Sequence, residues 1–171
     1  MIFDGYWKQD VRALSREISL WRRLLFPSDY AKHRLNRAIL YSAAILRKII
    51  EDEREAAKLF RKQGKTIHHK LLLNAKLPAI CYPHTAEDGW TIRGSLFPED
   101  YGGGERVELS VQEVCNQLIH SYVWSLAWES DKKSYAGFFV ASDRNKETHV
   151  HAIHFSDWQE ILKLCTEESA I

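Results

Sequence analysis

The sequence predicts an α+β fold: an N-terminal antiparallel helical hairpin packed with an antiparallel β-sheet that carries two further helices. Three observations predict it. Apolar residues recur at spacings of three and four from Trp7 to about Gln63, the period of helices that bury one face. Beyond Gly64 the apolar runs become short and strand-like, separated by Pro83, Pro98 and the Gly102-Gly103-Gly104 loop. Ser110 with Glu113, and Ser156 with Gln159, have the spacing of capping boxes and open two later helices. A chain of 171 residues suits one domain, with the helical hairpin over 1–64 and the sheet over 65–171.

The elements follow in order. Trp7, Val11, Leu14, Ile18, Trp21 and Leu25 form the apolar seam of the first helix. Phe26-Pro27 ends it, and Ser28 or Asp29 is available to cap the next. That second helix is expected from about Tyr30 to Gln63, with Leu35, Ile39, Leu46, Ile49, Ala56 and Phe60 among its apolar positions and Gly64 closing it. At 1.5 Å per residue it would be about 50 Å long, so a kink is expected at the acidic cluster Glu51-Asp52-Glu53. Short strands are expected over 77–82, 90–93 and 106–109. The Ser110 helix runs through Val114, Leu118 and Ile119, and the alternation of Tyr122, Trp124, Leu126 and Trp128 places a strand after it. Residues 134–142 and 148–155 read as a hairpin around Asp143-Arg144-Asn145-Lys146. Trp158, Ile161, Leu162 and Cys165 give the last helix a buried face.

Composition excludes several classes. With 45% hydrophobic and 27% charged residues the chain is globular and not a disordered tail. No apolar run approaches the ~18 residues of a membrane span, and the opening MIFDGYWKQD lacks a charged-then-apolar secretion signal. Cys81, Cys115 and Cys165, an odd count without a CxxC pair, fit a reducing compartment, so a cytoplasmic setting is expected.

The net charge of +1 hides two opposed halves. Residues 1–76 hold 17 Lys and Arg against 8 Asp and Glu, or +9; residues 77–171 hold 7 against 15, or −8. Such an asymmetry suggests that the first half holds RNA, DNA or an acidic protein; alternatively, the halves neutralise each other. On the first helix Lys8, Arg12, Arg16 and Arg23 fall within about 80° of arc, roughly opposite the apolar seam. Lys58, Arg61, Lys62 and Lys65 cluster where the second helix ends, where they also offset its dipole. These eight residues are the candidate nucleic-acid-binding set of a non-catalytic module that tracks phosphates. The same residues fit an ordinary solvated face. A structural role is a further reading, since the first-helix seam could pair two copies of the chain.

Catalytic chemistry has one candidate. Asn116 and His120 lie four apart on one helical face, where an imidazole beside an amide suits general acid–base work. The bland alternative is a buried His–Asn hydrogen bond that locks helix to sheet. His149 and His151 share one strand face, but a metal site needs a third ligand, and His154 points the other way. Gln63-Gly64-Lys65-Thr66 ends like a phosphate loop but has Leu59 where the first glycine belongs. The Gly102–Gly104 loop lacks dinucleotide spacing, and there is no nucleophile elbow. Neither a cofactor nor a metal is therefore expected. Tyr122, Trp124 and Trp128 suit either a sheet-on-helix core or a base-stacking platform.

Two resemblances add to this. Phe3-Asp4-Gly5-Tyr6-Trp7-Lys8, Cys115-Asn116-Gln117-Leu118-Ile119-His120-Ser121 and the Gly137–Ser142 hairpin together resemble small uncharacterised bacterial proteins, which implies a compact unit in a bacterial cytoplasm and no particular activity. The segment from Cys115 to His120 also resembles part of the HEPN ribonuclease signature, Arg–polar–x–x–x–His on a late helix of a helical bundle. That resemblance implies a His acting at a ribose hydroxyl, here His120 with Asn116 beside it. Cys115 stands where the family has its phosphate-supporting Arg, so a cation from elsewhere must replace it. A literal match, Arg144 to His149, falls in a predicted turn and lacks the helical context.

Overall fold

The seam residues form helix α1, Asp4–Trp21, in which Val11 and Ile18 are fully buried. The computed structural model describes residues 4–64, 72–83, 97, 104–145 and 148–166. The strand expected over 90–93 and the candidate Lys65 lie outside the described residues. Leu25 falls beyond the end of α1 and is 64% exposed, so the seam stops at Trp21. Val11 and Ile18 pack into the chain's own core. The face expected to pair two copies is therefore already covered within one.

Helix α2, Asp29–Lys62, starts where Ser28 accepts the Ala31 N–H at 3.3 Å. It ends before Gly64, whose φ of +68° is a left-handed conformation that glycine adopts without strain from a Cβ. The expected kink is absent: α2 is one continuous helix of 34 residues. The acidic cluster supports it instead. Glu51 pairs with Arg47 at 3.2 Å and Asp52 with Lys48 at 2.9 Å, each one turn back. Glu53 accepts the N–H groups of Leu72 and Leu73 at 3.2 and 2.7 Å, tying α2 to the short 3-10 turn Leu72–Asn74 that leads into the sheet. Glu17 on α1 pairs with Arg34 on α2, as in the antiparallel hairpin expected.

Five strands follow: β1 Lys76–Pro83, β2 Glu105–Ser110, β3 Ser121–Trp128, β4 Tyr135–Ser142 and β5 His149–His154. They form one antiparallel sheet in the order β2-β1-β5-β4-β3. Helix α3, Val111–Ile119, joins β2 to β3, and helix α4, Phe155–Thr166, follows β5. The observed α+β class is the expected one. The apolar run Tyr135–Ala141 is buried throughout, because β4 is covered on both faces.

The main core lies between the sheet and the helices. Leu35, Ile39 and Leu46 of α2 join Val114 and Leu118 of α3, Trp158 of α4, and Leu77, Phe138 and Ile153 of the sheet. Phe138 is its aromatic centre, with ring centroids 5.1 Å from Trp124, 5.8 Å from Phe155 and 6.1 Å from Trp158. Trp158 Nε1 donates to Ser42 Oγ at 3.1 Å, which satisfies the one polar group the indole brings inside. A smaller cluster of Val123, Phe139, Ala141, Val150 and Ala152 covers the opposite face of the sheet.

The Ser110 capping box is present, with its hydroxyl taking the Glu113 N–H and the Glu113 carboxylate taking the Ser110 N–H at 2.7 Å. The second box is not. Helix α4 begins at Phe155, the Ser156 N–H donates to His154 Nδ1 at 3.2 Å, and Gln159 turns to Ser19 of α1. A ring nitrogen has displaced the serine hydroxyl as the acceptor at that end.

The bonds from the Ser110 hydroxyl and backbone hold the Glu113 carboxyl below its ordinary value of 4.5. A carboxyl whose folded pKa is depressed contributes stability that is complete above its unfolded pKa and lost as pH falls through the folded one. Glu113→Gln keeps an acceptor oxygen for the Ser110 N–H and removes the charge, so it should destabilise the protein at neutral pH by less than the ~1 kcal/mol of a lost cap. The gap between the two proteins in urea unfolding should close as pH falls below the ordinary carboxyl value of 4.5 and through the lower folded one. A gap that persists at pH 2 would show that charge on Glu113 is not what the cap uses.

Candidate functional site

Helix α3 ends at Ile119, and His120 serves as its C-cap, donating its N–H to the Asn116 carbonyl at 3.0 Å. Strand β3 starts at the next residue, where Ser121 pairs with Ser142 at the end of β4. The turn after β4 therefore lies against the α3–β3 junction. The Asp143 N–H donates to the His120 carbonyl at 3.2 Å, and the Asn145 N–H closes the turn on Ser142 at 3.0 Å. These backbone bonds hold the turn that carries Arg144 against the His120 backbone.

These residues line a cleft of about 420 Å³ with Arg47, Asn116, Gln117, Ser142 and Asp143. His120 and Arg144 are exposed, and Asn116 is half-buried. Arg47 enters from α2. Burial pushes the neighbouring Cys115 thiol up to about 12, and the Arg47 charge acts against that shift. Arg47, on a different helix, thus stands near Cys115. His120 is not the buried helix-to-sheet lock. That lock exists one residue away on α3, where Gln117 Oε1 meets His151 Nδ1 at 2.9 Å and His151 is 4% exposed. Burial, and then the charge of His149, lower the His151 pKa to about 4, so the ring is neutral at physiological pH.

The basic candidates do not converge on one surface. Arg12, Arg16, Arg23, Lys58, Arg61 and Lys62 are exposed and Lys8 is half-exposed. Arg12 donates to the Thr166 carbonyl at 2.9 Å, at the end of α4, and Lys58 pairs with Glu55 at 2.6 Å. With Glu17 set against Arg34, Arg12 stands level with about residue 39, and Lys58 lies about 28 Å further along α2. The two groups are separate patches. Charge also acts across the two halves: Lys76 pairs with Glu108 at 3.8 Å, and Arg22 feels the Glu129 charge. Trp124 and Trp128 pack against the main core, whereas Tyr122 is 56% exposed at the strand end nearest His120.

His149 and His151 do have a third neighbour. Cys81 on β1 stands opposite His151 on β5, and the ligand atoms of all three residues lie within 4.8 Å of one another. Cys81 lies on the neighbouring strand, 68 positions before His149 in the chain, so spacing along one strand does not show it. Arg47 and Arg144 were also missed as site residues. Arg47 has no local signal, and Arg144 lies in a turn without the helical context of the signature. No protein-family model, curated protein or solved structure matches the chain. Among the described residues, no helix is long and apolar enough to cross a membrane.

Proposed function

We propose that the chain is an RNA-cleaving phosphodiesterase with His120 as its catalytic residue. One observation carries the reading: an exposed imidazole shares a cleft with two guanidinium groups, Arg47 and Arg144, which outnumber the Asp143 carboxylate there, and an amide, Asn116. RNA contains its own nucleophile. A neutral His120 takes the proton of a ribose 2′-hydroxyl, that oxygen attacks the adjacent phosphorus, and the 5′-oxygen leaves with a proton from solvent. Arg47 and Arg144 bind the phosphate and stabilise the charge that builds on its oxygens in the transition state. Asn116 offers its amide to the bound ribose or phosphate.

The resemblance to the HEPN signature supports the same assignment, with Arg47 standing in for the arginine absent at Cys115. The separate basic patches on α1 and at the end of α2 extend the field that draws a polyanion toward the molecule.

Fluorescence anisotropy of an end-labelled single-stranded RNA, at low and moderate salt, tests the reading. Anisotropy should rise on mixing and then fall as the label is released. Two phosphate contacts contribute about −1.4 to the slope of log K against log salt for a single strand, so Arg144→Gln should flatten the slope by about 0.7. Salt-sensitive binding without release would return the chain to a non-catalytic binding module. A flat trace at low salt would remove RNA as its ligand.

A further inference from the structure

We propose that Cys81, His149 and His151 form a binding site for a single divalent metal ion of the zinc class. The site stands apart from the RNA reading and is argued from the sheet register. Antiparallel pairing of β1 with β5 sets Cys81 directly opposite His151, and the two-residue period of β5 puts His149 on the same face. The ligand atoms lie within 4.8 Å of one another, and the two imidazoles stand 4.8 Å apart at 76°. Zinc bonds of about 2.3 Å to sulfur and 2.0–2.1 Å to nitrogen put tetrahedral ligand atoms about 3.3–3.6 Å apart. Side-chain rotations that move these atoms by about 1 Å complete the geometry.

Hydrogen bonds to the imidazoles point the same way. Gln117 Oε1, an acceptor, meets His151 Nδ1 at 2.9 Å, so that nitrogen carries the proton and Nε2 presents its lone pair. Thr148 Oγ1 donates to the Asn145 carbonyl at 3.1 Å, which leaves it to accept from His149 Nδ1 at 2.9 Å. Both rings are thus held in the tautomer that offers Nε2 to a metal, the usual support for a ligating histidine. One sulfur and two imidazole nitrogens select zinc or cobalt over calcium or magnesium. Binding exchanges the Cys81 thiol proton for the metal, and that proton leaves to the buffer. Three protein ligands leave a fourth position for water or a substrate, the pattern of a reactive centre more than of a closed structural one.

The test uses the full chain with reduced thiols and without RNA, so its outcome is independent of the RNA reading. Equilibrium dialysis against zinc(II) should give one ion per chain, and cobalt(II) should produce a near-ultraviolet thiolate-to-metal absorption band. Cys81→Ser should lose that band while Cys165→Ser keeps it. His149→Gln should weaken zinc binding at least about tenfold, and Gln117→Ala about 10–100-fold, the range for removing a partner of a ligating histidine. Circular dichroism confirms that each variant is folded, and His149, half-exposed at the start of β5, is the substitution the fold tolerates best. A wild-type chain without the cobalt band, or a band that survives Cys81→Ser, would overturn the site.

Discussion

Replacing His120 with alanine should lower RNA cleavage by about 10²–10⁴-fold, the usual contribution of a general acid–base group. Thermal stability should barely move, because the ring is exposed and surface substitutions usually stay within about 0.5 kcal/mol. The contrast separates catalysis from folding. Arg47→Ala gives the companion result, a large loss of rate, because a transition-state cation is worth more than the ground-state contact it makes. Its surface ion pair with Glu51 contributes little to stability, so the protein should remain folded. Single-turnover cleavage of the labelled RNA at saturating enzyme checks both variants. A His120→Ala protein that cleaves at the wild-type rate would end the catalytic assignment, whatever the binding data show.

The largest effect on stability is expected at Phe138. Truncation to alanine removes the ring that touches Trp124, Phe155 and Trp158 from a fully buried position. Such a change loses the transfer energy of the ring and leaves a cavity, for a cost of about 3–5 kcal/mol. Total stability for a domain is about 5–15 kcal/mol, so the variant should unfold at a much lower urea concentration or fail to fold. Phe138→Leu keeps most of the volume and should cost less than half as much. Urea unfolding followed by tryptophan fluorescence measures both. Equal losses for alanine and leucine would indicate that ring geometry, and not filled volume, holds this core together.

The helices were legible because their information is local. Spacings of three and four located α2 to within a residue at each end and α1 to within about a turn, and Ser110 with Glu113 marked the start of α3. The errors arose where a distant group intervened. The acidic cluster read as a break because no sequence rule shows that Glu53 will cap Leu72 and Leu73. The Ser156 box failed because Gln159 was drawn to Ser19 on another helix and the His154 ring took over as acceptor. The expected buried bond between His120 and Asn116 is not formed and Gln117 with His151 makes one instead, because nothing local distinguishes the two pairs.

By itself, the sequence determined the class of fold, the order of the described elements and the buried faces of the helices. Those depend on the period of apolar residues and on caps within a few positions of one another. The tertiary structure alone decided which groups share a site. Arg47 reaches the His120 cleft because α2 packs against α3, and Arg144 reaches it because Ser121 pairs with Ser142. Cys81 meets His149 and His151 through a strand register between segments far apart in the chain. A register shift of one residue would send Cys81 to the other face of the sheet. That choice is made by burial on both faces of the sheet, which is a property of the packed molecule and not of any one segment.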